Sequence, residues 1–169
     1  EIASIADIII LMLPSDDALK ETMEGDDNLL SVLREGQIVV DMSTSKLATS
    51  RYYAQRISAQ RAHMLDAPVS GGTGGAQNAT LSIMVGGEKA IFDRCLPVFS
   101  AMGKTVTYIG DHGMGLVAKM VNQMLMEATF CAVAESFAFA VKAGADVEIV
   151  YEAVRNGLAG SKVLPYYSC

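Results

Sequence analysis

Three polar side chains, Lys119, Asn122 and Gln123, interrupt a stretch rich in Ala, Met, Val and Phe that has no Pro, and no Gly between Gly115 and Gly144. At the helical pitch of about 100° per residue they share one face, with Glu127 one turn further on. A helix apolar on every side is expected to be buried, and a buried polar stripe needs a partner or a task. Two readings of Lys119 fit the spacing. It is a snorkelling lysine whose stem covers apolar surface, or a proton donor whose pKa burial has lowered towards neutrality. The amides of Asn122 and Gln123 are placed to hold a carbonyl or hydroxyl oxygen beside it. Thr129, Glu135 and Ser136, further along, read as a solvated face or as local caps to the backbone.

Ligands of an open α/β sheet sit beyond the carboxyl ends of its strands. Three loops occupy such ends: Pro14-Ser15 after Leu13, Ser43-Thr44-Ser45, and Ser70-Gly71-Gly72. Each exposes backbone N–H groups, which suits an anionic or nucleotide ligand, although Ser, Thr and Gly are also the ordinary material of turns and caps. Asp41 and Asp66 close strands and read as structural. Two glycine patterns imitate a dinucleotide fingerprint. Gly72-Thr73-Gly74-Gly75-Ala76-Gln77 fails at its last position. Gly113-x-Gly115-x-x-Ala118 fits, but the helix it opens has no returning strand and no acidic residue placed for a ribose, so its glycines read as a packing turn.

The elements that must position these groups follow from periodicity. Apolar runs at 6–13, 37–42, 63–69, 80–85 and 105–109 predict strands. Helices are expected at 16–25, 47–62, 88–100 and 147–154, with a helical turn or two at 28–34 and a glycine-rich loop at 70–75. Pro97 should disturb the last turn of its helix. Asp146 is the expected cap of the final one, with Val147, Val150, Tyr151 and Val154 at core spacing. Alternating strands and helices, then helices only, predict an α/β domain joined to an all-α domain, with the boundary at 110–113.

Composition narrows the partners. With 13 basic against 19 acidic residues and no Lys/Arg cluster beyond two or three residues, neither nucleic acid nor an anionic membrane surface is the expected partner. The longest uninterrupted apolar run, 8–14, is too short to span a bilayer. His63 and His112 lie at no metal-ligand spacing, so no metal is expected. Cys95, Cys131 and Cys169 form no C-x-x-C, which favours a reducing compartment.

Residues 66–76, Asp-Ala-Pro-Val-Ser-Gly-Gly-Thr-Gly-Gly-Ala, with Leu81-Ser-Ile-Met-Val-Gly-Gly87 and the G-x-G-x-x-x-K of Gly113, Gly115 and Lys119, resemble the β-hydroxyacid dehydrogenase family. This group contains 3-hydroxyisobutyrate dehydrogenase and tartronate semialdehyde (2-hydroxy-3-oxopropionate) reductase. The resemblance covers essentially the whole chain. It implies a truncated Rossmann-type sheet domain at 1–112 and, opening on a long inter-domain helix, the start of the all-α domain at 113–169.

It also implies NAD or NADP as cofactor and a small 3-oxo or 3-hydroxy acid as substrate. Lys119, Asn122 and Gln123 would be catalytic, and Ser70, Gly71 and Gly72 would hold the substrate carboxylate. Leu13, Pro14, Ser43 and Thr44 would line the cofactor. A homo-oligomer is implied at full length, in the cytoplasm, or in the mitochondrial matrix of a eukaryote.

Some positions depart from the family pattern. Gln123 stands where the family often has Asn, preceded here by Asn122, and the Lys-x-x-Asn-Gln order is similar to the semialdehyde reductases. Ala79 stands where the family usually has Gly, and Ala18 replaces an Asn seen in some members. The rival readings are a 6-phosphogluconate dehydrogenase-like enzyme, which usually has a His-Asn pair after the lysine, and a non-catalytic scaffold of the same fold, which has no need of Lys119.

The chain is expected to be a fragment without the family's N-terminal G-x-G-x-x-G, and nearly inactive as a separate molecule. Calorimetry of the 169-residue chain should therefore show only weak NADH binding; nanomolar-to-micromolar affinity would contradict this.

Overall fold

Each apolar run holds a strand, most deeply buried at Ile38–Asp41 in the middle of three parallel strands and most exposed at Gly103–Gly110, the last. The structure is a computed structural model and describes residues 2–167. After a short helix α1 (Ile2–Ile5), strands β1 (Ile8–Leu11), β2 (Ile38–Asp41) and β3 (His63–Asp66) lie parallel, ending level at Leu11, Asp41 and Asp66. A two-residue β4 (Val69–Ser70) and β5 (Leu81–Gly86) run antiparallel to each other, and β5 meets β3 through Asp66 and Gly86. Strand β6 (Gly103–Gly110) closes the set parallel to β5. Helices α2 (Asp16–Glu24), α3 (Leu47–Ser58), α4 (Gly72–Gln77) and α5 (Lys89–Met102) fill the connections.

Every residue of β2 is buried, and its alternation divides two cores, as a sheet covered on both faces requires. Ile38 and Val40 join Leu65, Ile83 and Val85 against Phe92, Cys95 and Phe99 of α5. Val39 faces the other way, with Ile9, Leu11 and Met64 against Leu19 and Met23 of α2 and Tyr53 and Ile57 of α3.

The chain divides into two compact units, one up to Met120 and one from Val121 onward. Helix α6 (Met114–Lys142) runs continuously from the first into the second. In the second, Asp146 Oδ1 accepts from Glu148 N (2.9 Å) and Ile149 N (3.2 Å) and caps α7 (Val147–Val154). Val147, Val150, Tyr151 and Val154 of α7 pack on Val133, Phe137 and Leu164. A 3-10 turn at Leu164–Tyr167 follows. Thr129 and Ser136 bond back to the Leu125 and Ala132 carbonyls, as local caps.

The α/β-then-α architecture is the one expected; several local features differ. The 28–34 segment is a single turn organised by Asn28, whose side chain accepts from Ser31 N and donates to Gly25 O. The third strand stops at Asp66, before Ala67 and Pro68, where the missing proline N–H cannot extend a ladder. Helix α5 continues through Pro97 to Met102, forgoing one amide bond.

Helix α6 is buried only in part: Leu116, Lys119, Val133, Phe137 and Ala140 are buried, whereas Val121, Met124, Leu125, Phe139 and Val141 are exposed. The polar stripe is narrow, and the exposed apolar flank of α6 faces water in the chain by itself. By length and composition alone α6 could cross a bilayer, a test that core helices also pass.

The expected glycine-rich loop is instead helix α4, and it ends in a Schellman motif. Thr80 N donates to Gly75 O (2.8 Å) and Ala79 N to Ala76 O (3.3 Å). That motif forces Ala79 to φ +52°, a left-handed conformation costing an L-residue about 1–2 kcal/mol. Ala79→Gly should therefore raise stability by about 0.5–1 kcal/mol, measured as a shift in urea midpoint at unchanged slope.

Candidate active site

The carboxyl ends of β1, β2 and β3 lie side by side, and each is tied down by polar side chains. At β2, Asp41 is 1% exposed. Its two oxygens accept from Ser43 N (2.9 Å) and Ser45 Oγ (3.2 Å). Ser43 Oγ in turn accepts from Leu13 N (2.8 Å), joining the loop after β1 to the loop after β2. Asp16 Oδ1 accepts from Lys46 N (2.9 Å), a second strut between the same loops.

Above them lies a cavity of about 510 Å³ lined by Asp16, Thr44, Ser45, Lys46 and Leu47, with Leu116, Val117 and Met120 of α6. Thr44 therefore faces the cavity, while the Ser43 hydroxyl is engaged in holding Leu13. Asp16, Lys46 and Leu47 were not singled out as site residues from the sequence, where nothing marks a first-turn aspartate and a loop lysine as neighbours across two loops.

At β3, Asp66 is fully buried. Oδ1 accepts from Gly113 N (2.6 Å) and Oδ2 from Leu116 N (2.9 Å), so the carboxylate caps the first turn of α6. Burial pushes its carboxyl upward, and the Gly113 and Leu116 N–H groups and His112 pull back. Contact this close requires that Gly86 and Gly115 lack side chains. A Cβ on Gly86 would lie 2.5 Å from Asp66 Oδ1, and one on Gly115 would strike the Met84 and Asp66 carbonyls.

Lys119 follows Leu116 by three residues and is 8% exposed. Its Nζ donates to the carbonyl of Val69 at 2.8 Å. The lysine is thus held at the segment that continues into Ser70, half-buried on β4, and into exposed Gly71 and Gly72, which open α4. Desolvation lowers its pKa from the ordinary 10.5.

Asn122 and Gln123 belong to the second unit, half-buried, and the Asn122 amide donates to Gln123 Oε1 (3.2 Å). Pro14 is exposed and Leu13 half-buried at the end of β1. Among the described residues no cluster of three His, Cys, Asp or Glu side chains suits a metal.

A parallel-rich sheet with a cavity over its strand ends is a Rossmann-type nucleotide-binding architecture. Residues 1–110 match the family model described as the NAD binding domain of 6-phosphogluconate dehydrogenase. Residues 113–167 match a second family model, described as the NAD-binding of NADP-dependent 3-hydroxyisobutyrate dehydrogenase. The chain belongs to the β-hydroxyacid dehydrogenase family.

It is 37% identical over 164 residues to 2-hydroxy-3-oxopropionate reductase of Escherichia coli, covering 97% of this chain and 56% of that protein. It is 38% identical over 163 residues to 3-hydroxyisobutyrate dehydrogenase of Pseudomonas aeruginosa, covering 96% and 55%. Among solved structures, the Mycobacterium tuberculosis 3-hydroxyisobutyrate dehydrogenase with L-serine superposes with a TM-score of 0.87 at 29% identity, covering 98% of this chain and 56% of that one. The chain spans about half the length of the curated relatives it matches.

The lowered lysine pKa has a stability consequence with a definite sign. Between the folded value and 10.5 the unfolded chain binds the extra proton, so folding stability rises with pH across that window. Lys119→Met should flatten this alkaline rise, read from urea midpoints at increasing pH; an unchanged slope would show that the amine is not desolvated.

Proposed function

We propose that this protein is an NAD(P)-dependent oxidoreductase of small β-hydroxy acids, most similar in action to 2-hydroxy-3-oxopropionate reductase or 3-hydroxyisobutyrate dehydrogenase. The observation that carries the reading is the buried Lys119 held on Val69 O, next to Ser70. Bound NAD or NADP would supply or accept the hydride.

The strand-end cavity suits such a ligand, since about 300–1,000 Å³ with apolar walls and a few polar groups is usual for small-molecule sites. Thr44, the segment Leu13-Pro14, and Ser43 through its hold on that segment shape the cofactor side. Ser70 and the backbone of Gly71 and Gly72 receive the substrate carboxylate. Lys119 gives a proton to the carbonyl oxygen during reduction and removes it from the hydroxyl during oxidation; burial brings its pKa closer to working pH. The Asn122 and Gln123 amides steady that oxygen.

In this reading 1–112 is the later part of the dinucleotide-binding domain and 113–169 the beginning of the all-α domain, with a homo-oligomer as the working assembly. The Dictyostelium and Arabidopsis relatives are described as mitochondrial, so the matrix fits a eukaryotic source and the cytoplasm a bacterial one.

A 6-phosphogluconate dehydrogenase-like activity is the second reading, favoured by the family matched over residues 1–110. Assays of the full-length protein on tartronate semialdehyde, 3-hydroxyisobutyrate and 6-phosphogluconate separate the two. On the preferred acid, Lys119→Ala should lower kcat by about 10²–10⁴-fold without loss of folding. Unchanged turnover would remove the lysine from the chemistry.

A further inference from the structure

His112 lies in the turn between β6 and α6, directly behind the Asp66 cap. Its Nε2 is 2.9 Å from Ser50 Oγ on α3. Its Nδ1 is 3.6 Å from Asp66 Oδ1, inside ion-pair range but beyond an ordinary hydrogen bond. That Nδ1 is also buried and has no hydrogen-bond partner among the described residues. A Ser–His–Asp series invites a nucleophilic reading, but Ser50 is 0% exposed and Asp66 likewise. No substrate reaches that hydroxyl, so the three residues must act on the protein itself.

The chemistry of the ring decides how. In a neutral imidazole one nitrogen donates and the other accepts. If Nε2 carried the proton, the Nδ1 lone pair would face a carboxylate oxygen where no water can intervene, an uncompensated repulsion. If Ser50 instead donates to Nε2, the proton lies on Nδ1, 3.6 Å from Asp66 Oδ1. The second arrangement sets a proton rather than a lone pair against Asp66 and leaves Nε2 to accept from Ser50.

We infer that His112 is a positioning residue: oriented by Ser50, its Nδ1–H restrains Asp66 in the rotamer that caps α6, and so fixes where Lys119 reaches. Asp66 Oδ1 and Oδ2 hold Gly113 N and Leu116 N, and Lys119 follows on the next turn. The lysine's own anchor, Val69 O, lies three residues beyond Asp66 on the same segment. A turn of the Asp66 carboxylate would therefore loosen the helix start and shift the amine relative to Ser70. The Arg51 guanidinium of α3 lies beside Gly113, and Asp111 precedes His112 in the turn itself.

The inference rests on the dehydrogenase reading for its kinetic consequence alone. His63 and His112 are the only histidines, so long-range proton–nitrogen NMR of the chain resolves each ring. Neutral His112 should be the Nδ1–H tautomer, and its substitution should move the Gly113 and Leu116 amide signals. A Nε2–H tautomer would overturn the positioning role.

In the full-length enzyme His112→Ala should lower kcat by about tenfold with little change in KM, as expected of a misplaced group. His112→Asn, which keeps a donor near the Nδ1 position, should restore most of it. Equal loss in both variants, or no loss in His112→Ala, would also overturn it. If His112→Ala does not fold, the wild-type tautomer and the Asn variant decide. If the wild-type enzyme has no activity on any of the acids, the functional reading fails, and the tautomer and amide shifts still decide whether His112 positions Asp66.

Discussion

One buried carboxylate joins the sheet to the helix that carries the lysine. Asp66 ends β3, pairs across to Gly86 of β5, and spends both oxygens on the first turn of α6. Losing either bond would leave a buried donor unsatisfied, at a cost of about 1–3 kcal/mol. An asparagine would not substitute, because its amide nitrogen would face one of the two backbone N–H groups. The surrounding sequence is arranged to admit this contact. Gly86 and Gly115 leave room for the carboxylate, and a side chain on either would meet backbone atoms.

The strand ends follow the same logic one strand over. Asp41 binds the loop that follows it through Ser43 and Ser45, and Ser43 reaches on to Leu13. These loops are therefore set by buried side-chain bonds rather than by length, and the cavity above them has a fixed floor. Preorganisation of this kind lets a binding site avoid ordering its own backbone when ligand arrives.

Much of the fold was legible in the chain because hydrophobic period is a local signal. The buried strands, the Asp146 cap and the core spacing of α7 all follow from residues within one window. What escaped depends on distant partners. Nothing near 70–75 announces that the glycines wind into a helix, since the Schellman closure runs through Ala79 and Thr80. The exposed flank of α6 escaped too, because composition reports hydrophobicity and not what covers it. At the candidate site, Lys119 and the Ser70–Gly72 loop stood out by type and by family resemblance. Their link through Val69 O, and the service of Asp66 and His112, depend on contacts some fifty residues apart in sequence, which no short-range pattern encodes.

The Val69 carbonyl holding Lys119 has a further meaning for selectivity. A neutral carbonyl is already the lysine's partner, so a substrate's neutral oxygen offers the ammonium no better acceptor than the one it has. An oxygen gathering negative charge does. In the proposed reaction the lysine would leave Val69 chiefly as the alkoxide develops, and its contribution would fall on the transition state rather than on the bound substrate. A backbone carbonyl, which no side-chain substitution removes, would then act as the threshold that a reacting oxygen must exceed.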